Sequence, residues 1–419
     1  MNKTVLLLSI LFCLIVTVSA RLEMVAEICR HGSRVPQRDT FGTKYSNGLG
    51  MPTPSGLRQH YLLGIELRRR YMKGYPNVHQ LVDPVFDLNE AHVRSTQTAR
   101  TVQSVYSQLL GLFPVGIADE LEPELADVAI PLIKLPNLDS VVDSLGSEAI
   151  KAGMQPVSVR NFHRDVDRFL AFGDCPYMSN DFIRRSEDPE VWKELDEQFR
   201  PIIFNQIAQA FGLNSNDLKF MNILDRLEAL YTEEFEGKLT RFDFTEEEWK
   251  IVRSMQVPHL LNHLSPTSSQ IMAIRHLNPI RELMRSRMGR DFNETLAGDF
   301  NNAKLLILSS HAYQMSHIIN ALAAENLELD HIDFASTLIF ELHRKDSSGC
   351  ETSTSESCFS VKIFYNDLQL KLPSCRNIDC TFKEFLRHLN NLDVTEDAMH
   401  ELCFSEDLLT GYGEVTNLD

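Results

Sequence analysis

Residues 22–36, which have the sequence LEMVAEICRHGSRVP, suggest both the fold and the chemistry of this chain. The first half, Leu22 to Cys29, is mostly apolar and has the length typical of a β-strand. The second half places Arg30 and Arg34 around His31, and the glycine between them permits a tight turn close to a ligand. Ligands bind at the carboxyl ends of strands in open α/β sheets. We therefore expect a phosphate-binding loop here, because guanidinium groups pair with phosphate oxygens and a histidine can bond covalently to phosphorus.

The surrounding sequence continues an α/β pattern. Glu90 to Val93 is a predicted short strand, and Ser95 to Phe113 is a predicted helix. Residues 304–310, KLLILSS, are nearly continuously apolar, which is typical of a central strand covered on both faces. A further helix is predicted at about residues 315–324. These alternating elements predict an open, mostly parallel sheet flanked by helices.

The helix periodicity also predicts which faces are buried. Thr53 is a predicted N-cap, with Pro54 at the first helical position. The inner face of this helix is predicted to consist of Leu57, Tyr61 and Ile65. For the helix at 95–113 the predicted inner stripe is Ala99, Val102, Tyr106, Leu109 and Phe113. Another helix is predicted from Pro279 to Met288.

The middle of the chain has a different character. From residue 115 to 256, strand-like runs are few and charged helical patterns dominate. We predict an inserted, mostly helical cap subdomain at 115–256, between core segments 21–114 and 257–419. In the second core segment, two alternating runs around Phe340 and Ile363 predict a β-hairpin with a Ser/Thr-rich loop.

The N-terminus indicates the compartment of the protein, and the net charge limits its possible partners. Residues 1–20 have a short basic start, an apolar run and small residues before the expected cleavage after Ala20, as in a secretory signal peptide. The apolar run is short for the ~20 residues of a membrane span. The net charge of −17, or −18 once Lys3 is removed, disfavours nucleic-acid binding. We expect a protein of the secretory pathway without a stable membrane anchor, either secreted or held in a lysosomal or vacuolar lumen.

The cysteine pattern fits an oxidising compartment. Cys29 ends an apolar run and is expected to be a buried free thiol. Six further cysteines would pair there, and sequence alone leaves 15 pairings open. These six are Cys175, Cys350, Cys358, Cys375, Cys380 and Cys403. Cys350 and Cys358 flank the hairpin loop, which suggests a local bridge between them. Asn293 begins an N-glycosylation acceptor motif.

Two more residues follow or end predicted strands, as the loop at 30–36 does, and have side chains that can bind phosphate. Arg94 ends a predicted strand before a helix, and helix N-termini favour anions. His311 follows the strand at 304–310. We expect these two residues and the loop at 30–36 to converge on one pocket. The sequence contains no spacing typical of a metal site, and no cofactor is expected.

These residues resemble a known family. Arg30-His31-Gly32-x-Arg34-x-Pro36 is similar to the signature of the histidine acid phosphatases, branch two of the histidine phosphatase superfamily, and is closest to the prostatic and lysosomal group. The resemblance covers most of the mature chain, and the supporting segments are Gln59-His60-Tyr61, Arg94-Ser95-Thr96, Cys175-Pro176, Phe334-Ala335-Ser336 and Leu372-Pro373-x-Cys375.

The resemblance implies a function for each matching residue. It implies that His31 attacks the phosphorus of a small phosphate monoester and that water hydrolyses the phosphohistidine. It implies that Arg30, Arg34, Arg94 and His311 bind the phosphoryl group. It also implies disulfides Cys175–Cys403 and Cys375–Cys380, which would leave Cys350–Cys358.

The chain departs from the family at one position. In the family the distal histidine is followed by the general acid Asp, or in the multiple inositol polyphosphate phosphatases by Ala-Glu, whereas this chain has His311-Ala312-Tyr313-Gln314. One alternative is a working acid phosphatase with a substitute acid, for which Tyr313 is favoured over Asp39 and His317. A second is a slow phosphatase for activated esters, and a third is a phosphate-binding relative without useful turnover.

The retained nucleophile and arginines favour an enzyme over a binding protein. A mutase is disfavoured by the helical insertion and the signal peptide. A phytase needs a broadly basic pocket, for which the net charge gives no support. Whether the protein forms a homodimer stays open.

Overall fold

The computed structural model describes most of the chain. The described residues are 20–38, 42–76, 79–134, 136–238, 244–300, 302–392 and 394–404. Within them, seven strands form one sheet: β1 (Ala20–Arg30), β2 (Ala91–Ser95), β3 (Leu305–Ser310), β4 (Thr337–Lys345), β5 (Phe359–Tyr365), β6 (Leu368–Gln369) and β7 (Cys380–Thr381).

Helices cover the sheet and make up much of the remaining described chain. They are α1 (Pro54–Tyr71), α2 (Ala99–Leu112), α3 (Leu138–Leu145), α4 (Pro176–Glu187), α5 (Pro189–Phe199), α6 (Asn205–Phe211), α7 (Leu224–Phe235), α8 (Glu246–Ser254), α9 (Gln256–Asn262), α10 (Pro266–Arg287), α11 (Glu294–Ala297), α12 (Ala312–Leu322), α13 (Phe382–Asn390) and α14 (Glu396–Phe404). A π-helical turn, Arg200–Phe204, joins α5 to α6.

The strand order confirms the predicted α/β class and corrects one detail. The order is β2-β3-β1-β4-β5-β6, and β7 also pairs with β5. Only β2–β3 and β3–β1 are parallel among the described pairs, so the prediction of a mostly parallel sheet is wrong. Parallel neighbours need a crossover connection, whereas the strands from β4 onward are joined by loops and pair antiparallel.

Strand β1 divides the core because it is buried on both faces. Met24, Ala26 and Ile28 face the cluster that contains α10 and α12. Val25 faces the opposite cluster, which is built from α1 and α2. Helices α5 to α8 form a separate apolar cluster around Trp192. Between 115 and 256 the described residues contain helices and no strand of the sheet, and the limits of the cap stay a prediction.

Close packing of α1 on α2 overturns the predicted inner face of α1 and part of that of α2, where Leu109 and Phe113 are buried as predicted. The N-cap is confirmed, because the Thr53 side chain accepts a hydrogen bond from the Gly56 amide. However, Tyr61 and Tyr106 are 43% and 46% exposed. A Cβ on Gly64 would lie 1.9 Å from the carbonyl oxygen of Gln108, so the two backbones touch where a large apolar side chain would not fit. The buried residues are Gly56, His60, Gly64, Leu67 and Tyr71 on α1, and Thr101, Ser104, Val105, Gln108, Leu109, Gly111 and Leu112 on α2.

Helix α10 also differs from its prediction. It begins at Pro266 after the N-cap Ser265, so Pro279 lies inside the helix rather than at its start. An interior proline removes one backbone hydrogen bond. Here the helix is buried along most of its length, and this packing outweighs the lost bond.

Candidate active site

A large cavity opens at the carboxyl ends of β1 and β3. Its volume is about 1770 Å³, and its lining includes Arg30, His31, Arg34 and His311. The loop after β1 and the residue after β3 therefore converge, as the sequence predicts. This convergence follows from the parallel pairing of β1 and β3, which places Arg30 beside Ser310.

The backbone fixes the orientation of His31. Its amide donates to the Ser310 carbonyl at 3.1 Å. Its Nδ1 lies 2.8 Å from the Gly32 carbonyl oxygen, which can only accept, so Nδ1 carries the proton. The lone pair is therefore on Nε2. Gly32 is required because a Cβ there would lie 2.2 Å from the Gly56 carbonyl oxygen.

Burial keeps the His31 imidazole neutral. Burial lowers the pKa of His31 well below its ordinary value, and the positive charges of Arg100, Arg30 and Arg34 lower this pKa further. An imidazole with a depressed pKa stays unprotonated in mildly acidic solution. Nε2 is thus available as a nucleophile at acidic pH.

Arg30 is held firmly beside the nucleophile. Its Nη1 donates to the Ile332 carbonyl, and its guanidinium lies over the Phe334 ring, 4.1 Å from the centroid. Burial, followed by repulsion from Arg34, lowers the pKa of Arg30 to about 10. Arg30 is still a cation at acidic and neutral pH.

Arg34 meets a carboxylate from the middle of the chain. Glu228, on α7, lies 2.6 Å from a terminal nitrogen of Arg34. One turn earlier, Asp225 pairs with Arg38 at 3.0 Å, and burial raises the pKa of Asp225. The sequence indicated acidic helices in this region but contained no signal that would select Glu228 or Asp225.

Arg94 lies behind the cavity wall rather than among the lining residues. Its Nη2 donates to Asp167 at 2.7 Å, and its guanidinium lies over the rings of Phe162 and Phe169. Asp167 and Phe162 do line the cavity. The structure thus places Arg94 next to the site, and its contact with phosphate stays a prediction.

Arg100 is a lining residue that the sequence reasoning missed. It lies in the first turn of α2, and its charge lowers the pKa of both His31 and His311. The signal that could have found it is its place near the start of a helix that follows Arg94, since helix N-termini attract anions.

His311 is the N-cap of α12 and faces two threonines. Its Nε2 lies 3.0 Å from the Thr96 hydroxyl and 3.4 Å from that of Thr98. Its ring makes an edge contact with His31 at 5.4 Å between centroids. Burial, followed by the charges of nearby arginines, lowers the pKa of His311 well below its ordinary value. His311 therefore presents a neutral, hydrogen-bonding imidazole to the cavity.

The general-acid position is apolar. Ala312, the first residue of α12, is buried in the cavity lining. The neighbouring Tyr313 packs its ring against Phe172 and Phe182, and burial raises its pKa well above 10. A hydroxyl that holds its proton this tightly is a weak acid, so the role of Tyr313 as substitute acid stays a prediction.

The two less favoured substitutes gain no further support. Burial lowers the pKa of His317 to about 3, and its Nδ1 contacts the Ser269 hydroxyl at 2.8 Å. Asp39 lies outside the described residues. The carboxylates that do line the cavity are Asp165, Asp167, Asp225 and Glu228.

The cysteines pair as the resemblance implies. The disulfides are Cys175–Cys403, Cys350–Cys358 and Cys375–Cys380. Cys29 is a buried free thiol, as predicted. The predicted glycosylation residue Asn293 is exposed and caps α11, and its modification stays a prediction.

The described part of the chain contains neither a candidate metal site nor a candidate membrane span. No group of three or more His, Cys, Asp or Glu side chains there has the geometry of a metal site. None of its helices combines the length and apolar character needed to cross a bilayer.

The sequence match agrees with the fold and the site. Residues 21–366 match the histidine phosphatase superfamily (branch 2). The chain belongs to this family.

Two acid phosphatases and one phytase structure are among the proteins that this chain resembles. Lysosomal acid phosphatase of Homo sapiens is 24% identical over 387 residues, which cover 87% of this chain and 77% of the relative. Prostatic acid phosphatase of Homo sapiens is 32% identical over 385 residues, covering 87% and 83%. A Hafnia alvei phytase in complex with tartrate has a TM-score of 0.61 at 14% identity, covering 91% of this chain and 98% of that one, which shows the shared fold.

The charge of Arg100 should affect the pH dependence of kcat/KM. If the neutral form of His31 is the nucleophile, as the family resemblance implies, the acid limb of kcat/KM should lie below the ordinary histidine pKa of about 6.5. Arg100→Gln removes one cation, so the pKa of His31 should rise and the acid limb should move up by about one pH unit. The measurement is the pH dependence of kcat/KM for one aryl phosphate.

Arg376→Gln is the matched control because this arginine is 91% exposed and does not line the cavity. It should leave the acid limb unchanged. The ionisation of the substrate is the same for all variants. An unshifted limb in Arg100→Gln would show that Arg100 does not tune His31.

Proposed function

We propose that this chain is an acid phosphatase that hydrolyses phosphate monoesters through a phosphohistidine on His31. The observation that carries the proposal is the free Nε2 of a buried, neutral His31 beside Arg30 and Arg34. Membership of the family supports the same chemistry.

The proposed reaction has two steps. The Nε2 lone pair attacks phosphorus while the bond to the ester oxygen breaks, and that oxygen leaves as an alkoxide or phenolate that takes a proton from water or from a substitute donor. Water then attacks the phosphohistidine, phosphate leaves, and Nε2 regains its lone pair. Arg30, Arg34 and Arg100 stabilise the negative charge on the transferring group, which is the main task of a phosphoryl-transfer site.

Ala312 sets the proposed substrate preference. An alkoxide is a poor leaving group without a proton donor, whereas a phenolate leaves more readily. General acid catalysis contributes about 10²–10⁴-fold. We therefore propose that aryl phosphates are turned over faster than alkyl phosphates.

A phosphate-binding relative without useful turnover is the second candidate. It is favoured by the apolar Ala312 and by Glu228, which occupies Arg34 with a carboxylate. The arginines and His311 would still bind a phosphoryl group in such a protein.

We also propose that the protein works in the secretory pathway, secreted or in an acidic lumen, with residues 1–20 as its signal peptide and 115–256 as a cap over the site. The three disulfides support an oxidising compartment. The names of the lysosomal and prostatic relatives fit this location.

The test compares p-nitrophenyl phosphate with a primary alkyl phosphate between about pH 4 and about pH 7, the range of carboxyl and imidazole ionisation. Turnover of both esters supports an acid phosphatase with a substitute donor. Turnover of the aryl ester alone supports an enzyme that lacks its acid. Binding of phosphate without turnover of either ester would favour the binding protein.

A further inference from the structure

A chain of buried polar side chains runs from the interior of the sheet to the nucleophile loop. Glu27, in the middle of β1, is fully buried, and its Oε2 accepts a hydrogen bond from Nε2 of Gln108 on α2. The Gln108 Oε1 lies 3.0 Å from Nδ1 of His60 on α1. The Nε2 of His60 lies 3.0 Å from the Arg30 carbonyl oxygen. These three side chains take no part in the proposed reaction.

The contact between His60 and the Arg30 carbonyl holds the peptide bond between Arg30 and His31. The carbonyl of this peptide faces His60, and its N–H is the His31 amide, which donates to Ser310 at 3.1 Å. Both polar ends of one planar peptide are therefore held. A change in the hydrogen bond from His60 would tilt the peptide that aims the His31 ring.

Hydrogen-bond accounting shows that the chain needs one dissociable proton. Carbonyl oxygens only accept, so His60 must donate from Nε2 to Arg30. With the amide of Gln108 as placed, Nδ1 must also donate, which makes His60 an imidazolium beside an ionised Glu27. With the amide rotated by half a turn, His60 is neutral, and a protonated Glu27 donates to Gln108.

Without that proton, one contact fails. An ionised Glu27 requires the amide nitrogen of Gln108, so the amide oxygen faces His60 and the Cys29 thiol, a weak donor 3.7 Å away that does not supply the missing proton of His60. A neutral His60 has a single N–H, which can donate to Gln108 or to Arg30 but not to both. The remaining contact would bring a nitrogen lone pair against a carbonyl oxygen in a buried site, which is unfavourable.

We propose that Glu27 and His60 share one proton across Gln108, and that this proton positions the Arg30–His31 peptide for catalysis. Glu27 and His60 are then positioning residues. The activity part of this inference rests on the proposed function, whereas the hydrogen-bond chain itself does not.

The neutral arrangement is the one that the surroundings favour. Burial raises the pKa of Glu27 from 4.5 to about 7, and burial lowers the pKa of His60. One Glu27 carboxyl oxygen has no hydrogen-bond partner among the described residues, which suits a neutral carboxyl better than an ionised one. The proton is therefore present in acidic solution and is lost as the pH rises through about 7.

Few other charged groups face Glu27. Its strand neighbours are Ile307 on β3 and Ile339 on β4. Arg70 on α1 lowers its pKa through charge, and the Cys29 thiol on β1 has a pKa raised by burial and by Glu27. The nearest buried carboxyl on β4 has its own partners: Glu341 accepts from Tyr71 and contacts His343, each at 2.7 Å.

Glu27→Gln tests the proposal because an amide imitates the protonated acid and cannot ionise. With activity normalised to that at about pH 5, the variant should be about tenfold more active than the wild type at about pH 8, where only about a tenth of a group with a pKa near 7 keeps its proton. Glu341→Gln is the matched buried control, and it should keep the wild-type alkaline limb. Identical alkaline limbs in Glu27→Gln and the wild type would overturn the positioning role.

A second readout does not need activity. The folded state binds a proton at Glu27 that the unfolded state has lost between pH 4.5 and about 7, so the wild-type free energy of unfolding should fall as the pH rises through this window. Urea denaturation should show a smaller fall for Glu27→Gln. If the chain is inactive but this difference is present, the proposed function fails and the shared proton stands. If the difference is absent, the shared proton is wrong whatever the activity.

Wild-type protein gives the same answer if Glu27→Gln does not fold. An infrared titration should reveal a protonated buried carboxyl at about pH 6 that ionises near pH 7. The lack of both such a carboxyl and a protonated His60 imidazolium would overturn the proposal.

Discussion

His31→Ala should abolish hydrolysis of p-nitrophenyl phosphate, lowering kcat by roughly 10⁴-fold or more. The reason is geometric: Nδ1 is committed to the Gly32 carbonyl, so Nε2 is the nitrogen of this ring that is free to attack phosphorus. Arginines alone can bind and polarise a phosphate ester, but they cannot form the covalent intermediate. The measurement is steady-state turnover by purified protein across acidic pH.

Two controls separate loss of chemistry from loss of fold. The backbone contacts of residue 31 do not depend on its side chain, so thermal unfolding of His31→Ala should remain cooperative. His400→Ala changes an exposed histidine of α14 and should leave turnover unchanged. Full activity in His31→Ala would show that another group is the nucleophile.

The nucleophile loop could be predicted because its information is local. The apolar run before Arg30 specifies a buried strand, and the loop that follows contains both His31 and two cations in seven residues. The position of His311 could be predicted for the same reason, since it directly follows the apolar strand β3. Parallel pairing of the two strands then brings the two histidines together.

Residues supplied by tertiary packing could not be predicted in this way. Arg100 reaches the cavity because α2 lies directly on α1, and glycines, not large apolar residues, make that contact. Periodicity of large apolar residues misplaces such a face. Glu228 comes from an acidic helix in which nothing in the sequence distinguishes the residue that meets Arg34.

The buried chain from Glu27 to Arg30 illustrates the same limit. Glu27 is a single glutamate inside an apolar strand, whereas Gln108 and His60 lie on two different helices. Nothing in the sequence around any one of them indicates that the three are in contact. Their roles arise from the contacts between β1, α1 and α2. Sequence periodicity predicted the wrong inner face for α1 and only part of the inner face of α2.

Ala312→Asp should raise turnover of a primary alkyl phosphate by about 10²–10⁴-fold, which is the usual contribution of a general acid. Turnover of p-nitrophenyl phosphate should rise much less, because its leaving group departs without a proton. Residue 312 lines the cavity directly after His311, so an added carboxyl would lie beside the site. The measurement is kcat for both esters at acidic pH.

Ala312→Asn is the matched control, because the amide has nearly the same shape as the carboxyl but is not an acid. If the proton is what the wild-type site lacks, Asn will leave alkyl turnover low, and Asp alone will raise it. Equal gains for both esters, or equal gains from Asn and Asp, would show that the substitution acts through binding or packing. A wild type that already hydrolyses both esters equally well would instead direct the search for a donor to the carboxylates that face the cavity, Asp225 first, because burial already raises its pKa.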